Sequence, residues 1–296
     1  MSSKYPHTPS PHVAALGIFF SDLDGTLLRS DNTLSAPDRT ALQDLARHGI
    51  VRVIATGRSL RSFCDVIEPD FPADYVIFST GAGVARLDGC EIIKKSTLNR
   101  EEIMRTVSIL RQASMDFMLH QPIPHNHLFA FEANGSTNPD FETRVNLHKQ
   151  WACPLKQLET WSEATQFVAI LPPWRDTSVI DDIRRELARL SVIRATSPFD
   201  HQSTWMEIFP GRVSKGSAAS WLGSRLGLPQ EASMAIGNDY NDLAILQHAA
   251  HSYVVANAPE ELTRRFATVA SNNDNGVAQA VSMWLQKSSL SIDATP

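Results

Sequence analysis

The stretch GIFFSDLDGTLL, Gly17 to Leu28, decides the fold. Gly17 to Phe20 is a short continuous apolar run, the pattern of a strand covered on both faces. It ends in two aspartates one residue apart, followed at once by Gly25 and Thr26. In extended chain Asp22 and Asp24 point to the same side. Two neighbouring carboxylates repel, and a divalent cation between them removes the conflict. The expectation is a hard-metal site at the C-terminal end of a central strand, where open α/β sheets place their ligands.

Working outward, SAPDRTALQDLARHG reads as a helix with Ser35 as N-cap, Pro37 in the first turn and Gly49 as stop. IVRVIAT, ending at Thr56-Gly57-Arg58, is a second buried strand; SLRSFCDVI is a short helix; DYVIFSTGAG is a third strand running into a Gly-rich loop. Strand and helix alternating through short loops predict a parallel, doubly wound sheet. From about Val84 hairpins and helices mix, as in an α+β insertion, and at Val213 the α/β rhythm resumes. The predicted organisation is a leader over 1–16, a core over 17–84, an α+β cap over 85–209, the rest of the core over 210–286 and a disordered tail over 287–296. The fold class is α/β: a Rossmann-like doubly wound parallel-sheet core with an inserted α+β cap.

Composition narrows the function. The 296 residues carry a formal charge of −5, without the basic face that nucleic-acid binding needs. No apolar run approaches the ~20 residues of a membrane span, and the N-terminus lacks the apolar region of a secretory signal. Three widely spaced cysteines, Cys64, Cys90 and Cys153, without a CxxC pair, argue for a reducing, cytoplasmic setting with no disulfide framework and no zinc site. Cys64 and Cys90 read as small buried hydrophobes.

Four stretches fall at core strand ends or a core helix start: SDLDGT, ATGR, RVSKG and GNDYND. Together they carry the inventory of phosphoryl transfer, which is mostly positioning plus charge neutralisation. Asp22 is the candidate nucleophile, because a carboxylate can take a phosphoryl group. Asp24 is the candidate acid for the leaving oxygen and base for the attacking water. Thr56 offers a hydroxyl and a backbone N–H to phosphoryl oxygens, with Gly57 beside it. Arg58 has two readings, a substrate contact or an ion pair with a surface acid. Lys215 offers a fixed cation. Asp22, Asp24, Asn238, Asp239 and Asp242 are candidate Mg²⁺ ligands.

On these motifs the chain resembles the haloacid dehalogenase (HAD) superfamily hydrolases, within them the Cof-type group with a large α+β cap. Asp22-Leu23-Asp24-Gly25-Thr26 matches the family's DxDGT, Thr56 its second motif, Lys215 its third and GNDYND its fourth, usually written GDxxND. Asn238 stands where the family carries an acid, and Thr80 where relatives often carry Asn. Asn241 matches the family Asn and is expected to orient the phosphate. The resemblance implies a Mg²⁺-dependent phosphatase of a small phosphorylated metabolite, a sugar phosphate first, acting through an aspartyl-phosphate beneath a mobile cap. The rival readings are a phosphotransferase or mutase with the same intermediate, and a metabolite-binding protein that has lost turnover. The implied partners are the small substrate alone, with no nucleic acid and no membrane, and a monomer or small homo-oligomer. In the cap, His120, His125 and His127 read as a polar loop, and Trp151, Trp161, Trp174 and Trp205 as packing.

Overall fold

A computed structural model describes residues 15–292. The first helix begins and ends as its sequence dictates. Ser35 Oγ accepts the Asp38 N–H, Pro37 sits in the first turn of Ala36–Arg47, and Gly49 turns the chain with φ +67°.

The chain divides into two compact units. One holds the chain up to Arg58, Ser62–Lys94 and everything described from Lys215 on; the other holds Ser59–Arg61 and Lys95–Ser214. The first is built on an eight-stranded sheet. Its order runs Ala267–Val269, His251–Val255, Ser233–Gly237, Gly17–Ser21, Ile50–Ala55, Tyr75–Phe78, all parallel. Gly83–Arg86, antiparallel to Tyr75–Phe78, and Glu91–Lys95 complete one edge. Gly17–Ser21 is central, with Ser21 opposite both Ile236 and Ile54. The next strand in sequence lies on one side of it and the later strands on the other, so its C-terminal end is the topological switch point. All five of its residues are buried, as the apolar run predicted.

The first unit extends to Lys94, beyond the expected boundary at residue 84. The Gly-rich stretch is a tight turn, and the hairpin it makes hydrogen-bonds onto the core sheet. At the other end the helix Gly276–Ile292 runs six residues into the expected tail. Most of the expected leader and residues 293–296 lie outside the described residues.

The second unit is a six-stranded sheet ordered Ser191–Thr196, Thr204–Phe209, Gln166–Leu171, Asp116–His120, Phe129–Glu132, Ala152–Pro154. It is antiparallel except for its last pair. One face packs Phe117, Leu119, Phe167 and Ile208 against the helices Arg100–Gln112 and Ser178–Glu186 through Val107, Leu110, Ile180 and Ile183. The other packs Met118, Val168 and Ile170 against Phe141 of the helix Pro139–Leu147. Trp205 belongs to this second face, as expected, whereas Trp174 is exposed. Cys90 and Cys153 are exposed and Cys64 is half-buried, so neither Cys64 nor Cys90 is the buried hydrophobe expected.

Candidate active site

The central strand delivers Asp22 to the switch point. Its N–H donates to the Ile236 carbonyl at 3.0 Å, carrying the parallel ladder one residue past the strand. Leu23 O then accepts from both Leu27 N (3.1 Å) and Leu28 N (2.8 Å), closing a tight turn around Gly25. Gly25 has φ +72°, and a Cβ there would stand 2.6 Å from Asn238 Nδ2, so glycine is required twice over. Asn257, which the sequence reading did not single out, donates to the Gly25 carbonyl at 2.8 Å and fixes the turn from a neighbouring loop.

Lys215 opens the helix Lys215–Leu226 and is fully buried. A cation at a helix start is electrostatically unfavourable. The structure supplies the reason for it: Nζ donates to Asp22 Oδ1 at 2.7 Å and to Asp242 Oδ1 at 2.6 Å. Burial by itself would lower the ammonium's pKa, but the two carboxylates more than offset it and hold it above the ordinary lysine value.

The two acids fare differently. Asp242 is fully committed: besides Lys215 on Oδ1, its Oδ2 accepts the N–H groups of Asn238 (2.9 Å) and Asp239 (3.1 Å). Gly237 allows this, because a Cβ there would come within 2.6 Å of the Asp242 carboxyl group. Asp22 has Lys215 on one oxygen, while Oδ2 is buried with no hydrogen-bond partner among the described residues. Desolvation is the largest influence on Asp22 and raises its pKa to about 7; Lys215 opposes this, and Asp242 and Asp24 add to it.

Asp24 is held by a different cation, Arg58. Arg58 Nη2 donates to its Oδ1 at 2.7 Å, and Nε reaches both oxygens at 3.1 and 2.9 Å. Ser62, one helical turn on, braces the guanidinium at Nη1 (3.2 Å). Burial would lower the Arg58 pKa, and Asp24 raises it overall. The acid that Arg58 pairs with is therefore Asp24, at the site itself. Thr56 is buried and its Oγ1 accepts the Arg58 N–H at 3.1 Å, leaving the hydroxyl proton to donate. The Thr56 backbone N–H, expected to face phosphoryl oxygens, is instead taken by the Ile77 carbonyl at 2.8 Å. Ser79 and Thr80, which follow that strand, hold positive φ of 47° and 53°. A left-handed β-branched residue is a strained conformation that Asn or Gly would adopt at lower cost. Asn241 stands half-buried on the short turn Tyr240–Asp242.

The arrangement suits a hard cation. Asp22 Oδ2 is a buried oxygen without a hydrogen-bond partner among the described residues, and the Asn238 side chain lies against the Gly25 turn. Among the described residues no three His, Cys, Asp or Glu side chains gather into a metal-holding group. The Asp22 carboxylate and the Asn238 amide are of the oxygen-bearing types that Mg²⁺ takes alongside water. Asp242, with both oxygens engaged, is better described as the anchor of Lys215 and of the 238–239 loop.

Fold and site together define a hydrolase built on a HAD-type core. The chain matches the family of haloacid dehalogenase-like hydrolases over residues 19–281 and belongs to that family. It is an enzyme, a HAD-type phosphoric monoester hydrolase. A putative phosphatase of Streptococcus pyogenes is 28% identical over 269 residues, spanning 89% of this chain and 96% of the relative. A 5-amino-6-(5-phospho-D-ribitylamino)uracil phosphatase of Bacillus subtilis is 25% identical over 284 residues, with 89% and 96% covered. The fold is shared with a HAD-superfamily phosphatase from Bacteroides thetaiotaomicron (TM-score 0.75, 20% identity, 93% and 97% covered). It is shared also with a HAD subclass IIB sugar phosphatase (TM-score 0.70, 18% identity, 90% and 98% covered). No helix among the described residues is long and apolar enough to cross a membrane.

Proposed function

We propose that this chain is a Mg²⁺-dependent phosphatase of a small phosphorylated metabolite, a sugar phosphate first, acting through an aspartyl-phosphate on Asp22. The observation that carries the reading is Asp22 itself, a buried carboxylate with one oxygen on the Lys215 ammonium and the other without a hydrogen-bond partner among the described residues. The proposed cycle uses this chain's own groups. Lys215 fixes Asp22 and neutralises charge on the phosphoryl group. The Thr56 hydroxyl donates to a phosphoryl oxygen, with Gly57 and Asn241 completing the cradle. Asp22 attacks phosphorus, and Asp24 gives a proton to the leaving oxygen. Asp24 then takes a proton from water, which releases phosphate and restores Asp22. Mg²⁺, held by Asp22 and Asn238 with Asp24 and Asp239 at the same loop ends, would supply further neutralisation of the transferring group. Three free cysteines and a small-metabolite substrate suit work in the cytoplasm.

The test is phosphate release from a panel of phosphorylated metabolites, with Mg²⁺ and with EDTA, for wild type and Asp22→Asn. Mg²⁺-dependent turnover absent from the variant is the expected result. Turnover that survives Asp22→Asn would overturn the covalent step, and turnover unchanged in EDTA would overturn the metal.

A further inference from the structure

The sequence holds two Asn-Gly pairs, Asn134-Gly135 and Asn275-Gly276. An asparagine followed by glycine is open to attack on its own side chain, because glycine offers a backbone nitrogen with no Cβ in the way. The fold treats the two pairs differently.

Asn134 and Gly135 lie exposed in the loop between the strand Phe129–Glu132 and the helix Pro139–Leu147. The Asn134 side-chain amide and the Gly135 N–H have no hydrogen-bond partner among the described residues. Gly135 has φ +83°, and a Cβ there would find nothing within 4 Å. The loop is tied at its two ends, both to one buried carboxylate: Asp116 accepts the Asn134 N–H at 2.6 Å and Asn138 Nδ2 at 2.8 Å. Asn275-Gly276 is locked instead. Gly276 is buried, its N–H donates to the Ser271 carbonyl at 3.1 Å, and a Cβ there would stand 2.1 Å from the Ala270 carbonyl oxygen. Asn275 Oδ1 accepts from Arg29 Nη2 at 3.4 Å, and its carbonyl accepts the Gln279 N–H at 3.2 Å.

We propose that Asn134 is a site of spontaneous deamidation in the folded protein, from which the fold shields Asn275, whatever substrate the enzyme takes. The Gly135 nitrogen loses its proton and forms a bond to Asn134 Cγ; the Cγ–Nδ2 bond breaks and the amide nitrogen leaves as ammonia. Water then opens the cyclic imide at one of its two carbonyls. The product is aspartate, or isoaspartate with the main chain routed through Cβ. Either puts a carboxylate on the residue whose N–H Asp116 accepts, and isoaspartate also inserts a main-chain methylene inside the span that Asp116 clamps. The far end of that span is Asn138, whose Oδ1 accepts the Phe141 N–H at 3.3 Å and caps the helix Pro139–Leu147. Phe141 is the residue through which this helix packs on Met118, Val168 and Ile170. Conversion at Asn134 therefore loosens the helix.

The experiment holds the full chain in warm neutral buffer made with heavy-oxygen water, then maps its peptides by mass, folded and in urea. Heavy oxygen enters only at residues converted during the incubation. In the folded chain Asn134 should outpace Asn275 by about ten-fold or more, for the two hydrogen bonds that the second pair must first give up. In urea the difference should vanish. An unreacted Asn134, an Asn275 that keeps pace in the folded chain, or an Asn275 that still lags in urea each overturns the proposal. Amide hydrogen exchange of Pro139–Leu147 should be faster in the aged wild type than in aged Asn134→Gln, which lacks the labile pair. Equal exchange in the two aged chains would refute the loosening.

Discussion

Replacing the proposed nucleophile should stabilise the metal-free protein. Folded Asp22 holds its proton up to about pH 7, against 3.8 for the ordinary side chain, chiefly because burial penalises its charge. Between those values the folded state binds more protons than the unfolded one, so stability falls as pH rises across the window. At 1.36 kcal/mol per pH unit, the ionised carboxylate costs about 4 kcal/mol by pH 7.5. Asp22→Asn removes that charge. Its amide oxygen can still accept from Lys215, but its N–H₂ faces the space where Oδ2 has no partner, which takes back roughly 1–3 kcal/mol. The net gain is about 1–3 kcal/mol, or roughly 2–5 °C in Tm at this size. The assay is thermal unfolding in EDTA at pH 7.5, repeated with excess Mg²⁺. The variant should unfold later than wild type in EDTA, and Mg²⁺ should raise wild type alone. A variant several degrees less stable in EDTA would refute the reasoning. It would mean that Lys215 already neutralises Asp22 in full, leaving no electrostatic demand for a cation.

Lys215→Met leaves the Asp22 and Asp242 carboxylates buried without their shared cation; phosphate release should fall roughly 10²–10³-fold and unfolding free energy by about 3–5 kcal/mol, read by steady-state kinetics and urea melts. Asn238→Asp adds a negative charge beside the Gly25 turn and should tighten Mg²⁺ roughly ten-fold in a calorimetric titration; unchanged affinity would remove Asn238 from the metal shell. His120 is buried and its pKa is pushed down to about 3 from an ordinary 6.5, so it opposes folding as pH falls below 6.5. Between pH 7 and pH 5 it should withdraw about 2 kcal/mol of stability from wild type, and His120→Gln should lose that part of the pH dependence.

The placing of Asp22 and Asp24 at the end of the central strand was legible because a strand writes its geometry in a period of two: an apolar run, then two acids one residue apart, then a Gly that only a tight turn requires. Lys215 was legible through its conflict with the helix dipole. What stayed hidden depends on which lone pair meets which N–H. GNDYND shows oxygens in plenty, but that Asp242 is consumed by Lys215 and two backbone amides follows from the absence of a Cβ at Gly237 and the tightness of the turn after it. The Thr56 amide looked available because a strand end can leave it so; the register of Tyr75–Phe78 puts the Ile77 carbonyl against it. The boundary at residue 84 fell short of Lys94 because the mixed pattern after Val84 reads as the start of the insertion, whereas the positive-φ residues of STGAG fold it into a hairpin turn that returns the chain to the core sheet.

Arg58 sets the order of events in the proposed cycle. Both Asp24 oxygens accept from its guanidinium, so that fork must let go before either can face a leaving group. Asp22 has a different defect, since burial favours its protonated form, which does not attack. Each carboxylate therefore needs a change of surroundings before its step. The remedy for both is charge. A cation at Asp22 Oδ2 favours the anion, and a phosphoryl group, dianionic and rich in acceptors, competes with Asp24 for the Arg58 fork that Ser62 braces. Nucleophile and acid thus become competent only when cation and phosphate are both present. On this account Arg58→Met should free Asp24 from its fork while removing the group that answers to phosphate. KM for a phosphorylated substrate should rise more than kcat falls, and a variant in which kcat alone collapses would place Arg58 in the chemical step instead.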